Sequence, residues 1–439
     1  MRFYDREREL ALLERIRCQS EQSGRLTVVT GRRRIGKTVM VKKALEGVPY
    51  VYLYVGRKTE KELCVSFQRS ISEALGLQLV GEASQIEVLL RVVFEESVKR
   101  PVTMFIDEFQ DFYRVNPSVF SALSALWDEY EKDSHLNLIV CGSINRLMNR
   151  IFRDRQEPLY GRRTDSLRVE PFRASVLKEI LSEHAPSYQP EDLLALWSFT
   201  GGVARYVQRL MDDGATTKDA MIDAIFCDGS SFVDEGQSLL TQEFGSEYST
   251  YFSILSSIAS GSTEHSQIKN DVGEEVGAFL SLLETDYGLI RRKVPLFAER
   301  KSRNAHYEIS DPFIRMWFRF FFKSQHLVEL GRYDELRRIV RRDYEVFTGY
   351  SLEQYFRWKF LESTHYTRMD AWWDRKGGNE IDLVCEDEFA GALDFYEVKR
   401  DVRRLDLGAL RAKGEAFLAK HPEKRPLQCA FRGLSLEDM

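Results

Sequence analysis

No two cysteines in this sequence stand close enough to form a CxxC pair. The six, Cys18, Cys64, Cys141, Cys227, Cys385 and Cys429, are scattered along 439 residues. That spacing argues against a zinc site and against a disulfide scaffold, and it fits a reducing compartment. A long hydrophobic run is missing as well. The most apolar stretch, residues 316–322, is interrupted by Arg319 and falls well short of the ~18 residues that a membrane span needs. Residues 1–8 are charged and hold no apolar segment of the signal-peptide kind. Basic residues are not in excess: the formal net charge is -5, so any contact with DNA or RNA must come from local patches. Repeats and low-complexity tracts are lacking too. Together these absences predict a cytoplasmic protein with no membrane association.

A hydrophobic share of 43% beside 30% charged residues is that of an ordinary globular chain. The length suggests about three domains at ~150 residues each. In the first third, short apolar runs at 26–30, 50–55, 102–106 and 136–141 alternate with helical stretches. Continuous apolar strands of this kind belong to a parallel sheet covered on both faces. Residues 171–235 read as helical. Two amphipathic segments, 251–259 and 276–285, then flank a polar turn region. Leu289-Ile290-Arg291-Arg292 and a strand at 305–309 follow, an order of helix, helix, helix and wing that predicts a winged helix-turn-helix. Beyond about residue 345 a helix precedes two strand-like segments, 380–385 and 392–399, and then a further helix.

Gly31-Arg32-Arg33-Arg34-Ile35-Gly36-Lys37-Thr38 fits GxxxxGK[ST], and it stands where the motif needs to stand, between an apolar strand and a helix start. Glycine at both ends lets successive N–H groups turn toward phosphates at the helix N-terminus. Lys37 would reach the β- and γ-phosphates of ATP, the Thr38 hydroxyl would bind Mg²⁺, and Val39 completes the nucleotide-binding stretch. The strand at 102–106 delivers Asp107 and Glu108. Asp107 would hold Mg²⁺, directly or through water, and Glu108 would orient and polarise the attacking water. Ser143, after the strand at 136–141, would lie beside the γ-phosphate. In Leu159-Tyr160-Gly161-Arg162-Arg163 an arginine, Arg162 or Arg163, would stabilise charge on the transferred phosphoryl group. Acting on a neighbouring subunit's nucleotide, it would require a homo-oligomer.

These elements, with Phe3-Tyr4-Asp5-Arg6-Glu7-Arg8-Glu9-Leu10 and Gly201-Gly202-Val203-Ala204-Arg205-Tyr206, follow one order over roughly the first half of the chain. That ordered set resembles the archaeal-type ATPases, a branch of the AAA+/STAND NTPases. The resemblance implies that Phe3 and Arg6 of the opening segment pack against the nucleotide base. Ala204 stands where the family commonly has proline. Residues 251–309 and Asp311 to Phe320 resemble the same family's linker, where a winged helix follows the ATPase. Basic clusters Arg291-Arg292-Lys293 and Arg300, Lys301 and Arg303 would sit where a wing touches phosphates. Asp271, Glu274 and Glu275 on the second helix disfavour insertion into a groove. The aromatic run Trp317 to Phe322 reads as core.

In the last hundred residues, Glu353 falls on a helix, Asp382 in Gly378-Asn379-Glu380-Ile381-Asp382, and Glu397 and Lys399 on the next strand. Residues two apart on a strand share a face, so Glu397 and Lys399 would point together. Asp382 and Glu397 would share a divalent metal, with Lys399 positioning water. Arg400, Arg403 and Arg404 would add phosphate-attracting charge. This order resembles the PD-(D/E)XK nuclease core over about residues 345–420. An inactive relative retained for binding is the alternative. The expectation is therefore an α/β chain. A P-loop parallel sheet with a helical lid (1–235) would precede a winged helix (245–330) and a restriction-endonuclease-like domain (345–439). ATP would be its ligand, with DNA or RNA reached through the last two domains.

Overall fold

The computed structural model describes residues 2–143, 145–244, 248–299, 301–375 and 378–439. Arg300 and residue 245, where the winged helix was expected to begin, lie outside them. The chain packs as two compact units, one of Asp5–Glu170 and the other of Met1–Tyr4 with Pro171–Met439. The packing thus divides the chain after Glu170. Residues 171–235, the helical stretch expected to follow the sheet, cluster with the C-terminal residues.

The first unit is built on strands β1 (Arg25–Gly31), β2 (Val51–Tyr54), β3 (Val102–Asp107), β4 (Leu136–Cys141) and β5 (Asp165–Val169). They form one sheet in the order β2-β3-β4-β1-β5, with every neighbouring pair parallel. This is the sheet of a P-loop NTPase. All residues of β3 and β4 are buried, which is why their sequences are unbroken apolar runs. The edge strand β5 alternates exposed and buried positions and carries charge, so no apolar run announced it. One face of the sheet packs Leu26, Val28, Met104, Ile106, Leu138 and Val140 against Phe94, Phe120 and Trp127 of flanking helices. Each such fully buried side chain contributes about 1.5–3 kcal/mol. Because all strands run the same way, Gly31, Asp107 and Cys141 end along one edge, where doubly wound sheets bind their ligands.

In the second unit, helices Tyr248–Ser260, His265–Val272 and Gly277–Thr285 precede an antiparallel hairpin of β6 (Ile290–Lys293) and β7 (His306–Ile309). The middle helix buries only Ile268 and ends at Val272, so of the acidic residues expected on it Asp271 is helical and Glu274 and Glu275 lie beyond its glycine cap. The aromatic run is buried core in a π-helical turn, Trp317–Phe322. A 31-residue helix, Tyr333–Ser363, leads to β8 (Arg368–Trp373), β9 (Glu380–Asp387), β10 (Ala392–Val398) and β11 (Gln428–Leu434). Their order is β11-β10-β9-β8, antiparallel from β8 to β10 and parallel between β10 and β11. The parallel step is made by the helix Leu407–Lys420, whose Leu410 and Phe417 pack on Trp372, Ile381, Leu393 and Phe395.

The hairpin corrects one expectation. Its connecting loop is docked on the four-stranded sheet: the Leu296 N–H donates to the Ala371 carbonyl at 3.0 Å. Phe297 lies 6.0 Å from Phe417, and Trp373 Nε1 donates to Asn304 Oδ1 at 3.0 Å. The basic residues of β6 are spent inside the chain. Arg291 pairs with Glu308 at 2.7 Å and with Asp370 at 3.6 Å, and Lys293 pairs with Glu308 at 3.3 Å. Arg292 donates to the Ser302 carbonyl. Among the described residues of the expected phosphate-contacting set, Lys301 and Arg303 are exposed.

Candidate functional site

β1 ends at Gly31 with φ 146°, and the chain then turns through Arg34 (φ 68°) and Gly36 (φ 94°) into the helix Lys37–Ala44. A Cβ on Gly31 would meet the Val169 carbonyl oxygen at 2.5 Å, so the loop closes against β5 only with glycine there. Ile35 anchors the loop in the core, Arg32 and Arg33 are half-buried, and Arg34 and Val39 are exposed. Lys37 is 7% exposed, and its Nζ donates to the carbonyls of Gly31 at 2.9 Å and Arg32 at 3.0 Å. Burial lowers its pKa, against the pull of Cys141, Glu108 and Asp107. A buried ammonium resting on carbonyls gains when an anion arrives.

The Thr38 hydroxyl donates to Asp107 Oδ2 at 2.8 Å. Tyr52 donates to the same oxygen at 3.2 Å, and the Glu108 N–H donates to Asp107 Oδ1 at 3.0 Å. Glu108 takes a left-handed φ of 53°, and its Oε2 accepts from Ser143 Oγ at 2.7 Å and Gln110 Nε2 at 2.6 Å. Lys37, Thr38, Asp107, Glu108 and Ser143 are therefore gathered on one sheet edge. A hydroxyl beside a carboxylate, a buried ammonium and a glycine-closed loop fit a magnesium nucleotide. Sequence reasoning missed Tyr52, Gln110 and Cys141. Tyr52 and Cys141 read as core strand positions. For Gln110 the available signal was a polar residue between Phe109 and Phe112, directly after the acidic pair.

The outlying residues fare differently. Arg162 is engaged with Asp128, Nε to Oδ1 at 2.9 Å and Nη2 to Oδ2 at 2.7 Å. Arg163 is half-buried, and no carboxylate pairs with it among the described residues. Phe3 is counted with the C-terminal unit and is 39% exposed, whereas Arg6 belongs to the first unit. There Arg6 Nη2 donates to the Glu170 carbonyl at 2.8 Å.

The C-terminal set converges in part. Lys399 Nζ lies 3.4 Å from Asp382 Oδ2 and 3.6 Å from Glu397 Oε1. The Val398 N–H donates to Asp382 at 2.7 Å, and the Asp406 N–H donates to Glu397 at 3.0 Å. Burial opposes the charge on Lys399, but Asp382, Glu397 and Glu353 outweigh it and raise its pKa. Glu353 on the long helix is pushed up to about 8 by burial and by Asp382, with Lys293 and Lys399 opposing. No group of three or more His, Cys, Asp or Glu side chains suited to a metal is found among the described residues. Of the arginines expected to attract phosphate, Arg400 grips both oxygens of Glu191 at 2.8 and 2.7 Å, and Arg403 pairs with Asp401 at 2.8 Å.

No described helix is long and apolar enough to cross a membrane. Residues 3–210 match the model of an ATPase domain found predominantly in Archaea. Residues 317–406 match a family of archaeal and bacterial proteins of unknown function. An uncharacterised protein of Methanocaldococcus jannaschii is 28% identical over 427 residues, covering 92% of this chain and 90% of its own. The Walker-type ATPase of Pyrococcus abyssi aligns with a TM-score of 0.53 at 18% identity, over 72% of this chain and 96% of its own. The ORC2 protein of Aeropyrum pernix, solved as ADPNP and ADP complexes, reaches 0.48 at 14% identity over 77% and 96%, a level that does not define a shared fold. The parallel sheet and the glycine-closed loop give the fold of a P-loop NTPase, and residues 3–210 are similar to an ATPase domain found predominantly in Archaea.

Proposed function

We propose that this chain is an ATP-hydrolysing switch whose nucleotide state governs the C-terminal unit. The observation that carries the reading is the contact of Thr38 Oγ1 with Asp107 Oδ2 at 2.8 Å, beside the buried ammonium of Lys37. Lys37 would bind the β- and γ-phosphate oxygens, with the loop N–H groups around it. Thr38 and Asp107 would hold magnesium, which supplies charge neutralisation at the phosphates when bound. Glu108 would orient the attacking water and accept its proton, and Ser143 would fix Glu108. Arg163, in cis or from a neighbouring copy, would stabilise the transferred group, since no carboxylate pairs with it among the described residues.

The order of three helices and a hairpin in residues 248–309 supports a winged helix used as an internal connector, since its loop is docked on the following sheet. The helix–three strands–helix–strand order from Tyr333 to Leu434, with Asp382, Glu397 and Lys399 together, supports a nuclease-like effector acting on DNA or RNA. A second reading, a nuclease-like fold kept for binding without cleavage, is favoured by one specific feature. The Lys399 ammonium already lies between the two carboxylates that a metal would bridge. The deciding experiment incubates the full-length protein with labelled DNA and RNA, with and without ATP and Mg²⁺ or Mn²⁺. Phosphate release lost in Lys37→Ala is expected. Metal-dependent cleavage that also disappears in Asp382→Asn supports the nuclease, and binding without cleavage supports the second reading.

A further inference from the structure

We propose that Gln110 is a positioning residue for ATP hydrolysis. With Ser143 it clamps one oxygen of Glu108 and leaves the other to work on water. The inference rests on the ATPase reading. Glu108 Oε2 receives both donors, Gln110 Nε2 at 2.6 Å and Ser143 Oγ at 2.7 Å. Oε1 has no hydrogen-bond partner among the described residues. A carboxylate held this way has one rotamer and one working oxygen, the preorganisation that a general base needs.

Three features indicate that Gln110 is placed there rather than filling space. Glu108 adopts a left-handed φ of 53°, and the chain then makes a short 3-10 turn, Phe109–Asp111. Strained backbone of this kind persists only where the surroundings enforce it. Phe109 enforces it, because its ring lies 5.6 Å from Phe112, 5.5 Å from Phe120 and 5.7 Å from Phe152. Second, Gln110 is 1% exposed, and its Oε1 is buried with no partner. A packing residue at that position would be apolar, since an unpaired buried amide oxygen costs stability. The amide is retained for its donor. Third, a Cβ on Gly142 would come 2.6 Å from Gln110 Oε1 and would also strike Met148. Glycine before Ser143 therefore leaves room for the second half of the clamp.

The test uses full-length Gln110→Met, which fills the same volume without the donor, and Gln110→Glu, which replaces the donor by a like charge. Steady-state ATP hydrolysis is measured as kcat and KM. Gln110→Met is expected to lower kcat roughly ten- to a hundredfold, the cost of a misplaced catalytic group, with KM for ATP unchanged. Gln110→Glu is expected to lower kcat likewise. Ser143→Ala behaves similarly, and the double variant loses less than the product of the two, because both donors serve one oxygen. Should Gln110→Met fail to fold, Gln110→Glu carries the same reading. Full turnover in either folded variant overturns the clamp, and so does a loss confined to melting temperature and KM. If the wild type itself releases no phosphate from ATP, the clamp and the ATPase reading fall together.

Discussion

Thr38 Oγ1 and Asp107 Oδ2 are 69 residues apart in sequence and 2.8 Å apart in space. The first turn of a helix is joined to the end of β3, although β4 separates β3 from the strand that leads into that helix. A hydroxyl and a carboxylate in contact offer two adjacent oxygens to a small octahedral cation. Thr38→Ala removes one of them. We expect half-maximal hydrolysis at fixed ATP to need a higher Mg²⁺ concentration than in the wild type. An unchanged magnesium midpoint would count against Thr38 as a ligand.

Lys37→Ala should strongly weaken nucleotide binding. Its ammonium is buried on two carbonyls, and the proposed function assigns it to the phosphate oxygens. Titration with a fluorescent ATP analogue measures this, and wild-type affinity in the variant would remove the phosphate-binding role.

Glu108→Gln keeps the side chain's size and both donors' partner oxygen while removing the base. Nucleotide binding should survive, and hydrolysis should fall by the ~10²–10⁴-fold typical of a lost general base. Turnover at the wild-type rate would exclude Glu108 from that role.

Arg162 is held by Asp128, an exposed pair worth about 0–1 kcal/mol, whereas Arg163 has no such partner among the described residues. If an arginine acts in trans, specific activity rises with protein concentration, and Arg163→Ala should abolish that rise while Arg162→Ala leaves it. A dilution series read as phosphate release per chain decides the matter. Flat activity in the wild type would eliminate the trans arrangement.

Glu353 carries a pH signature. Its carboxyl is raised from 4.5 to about 8 by burial and Asp382. Between those values the folded chain binds a proton that the unfolded chain does not, so stability falls as pH rises through that window. The contribution is fully present below about 4.5 and lost above about 8. Glu353→Gln, neutral throughout, should show a smaller fall in melting temperature over the same range. Equal slopes in the two proteins would mean that Glu353 does not titrate there.

The candidate site was largely legible because its parts are local. Gly31 to Thr38 is a contiguous stretch whose function depends on its own backbone turn, and Asp107-Glu108 closes a strand whose apolar run is itself a sequence signal. The edge strands β5, β8 and β11 were not legible, since half-exposed strands lack such a run. The same limit applied to Gln110, whose role depends on where Ser143 and Gly142 arrive from another strand.

Consecutive residues specify the chemistry on offer: a glycine-bounded loop, an acidic pair at a strand end, and Asp382 and Glu397 on neighbouring strands with Lys399 just past the second. Which charges pair with one another depends on long-range packing. Arg291 and Lys293, basic enough to suggest a phosphate-contacting wing, are paired with Glu308. Arg400 is fixed on Glu191 across 209 residues, and Arg162 is fixed on Asp128. A cation's nearest carboxylate is set by which surfaces pack together, and packing is long-range, whereas a loop's turn and a strand's burial are written in consecutive residues.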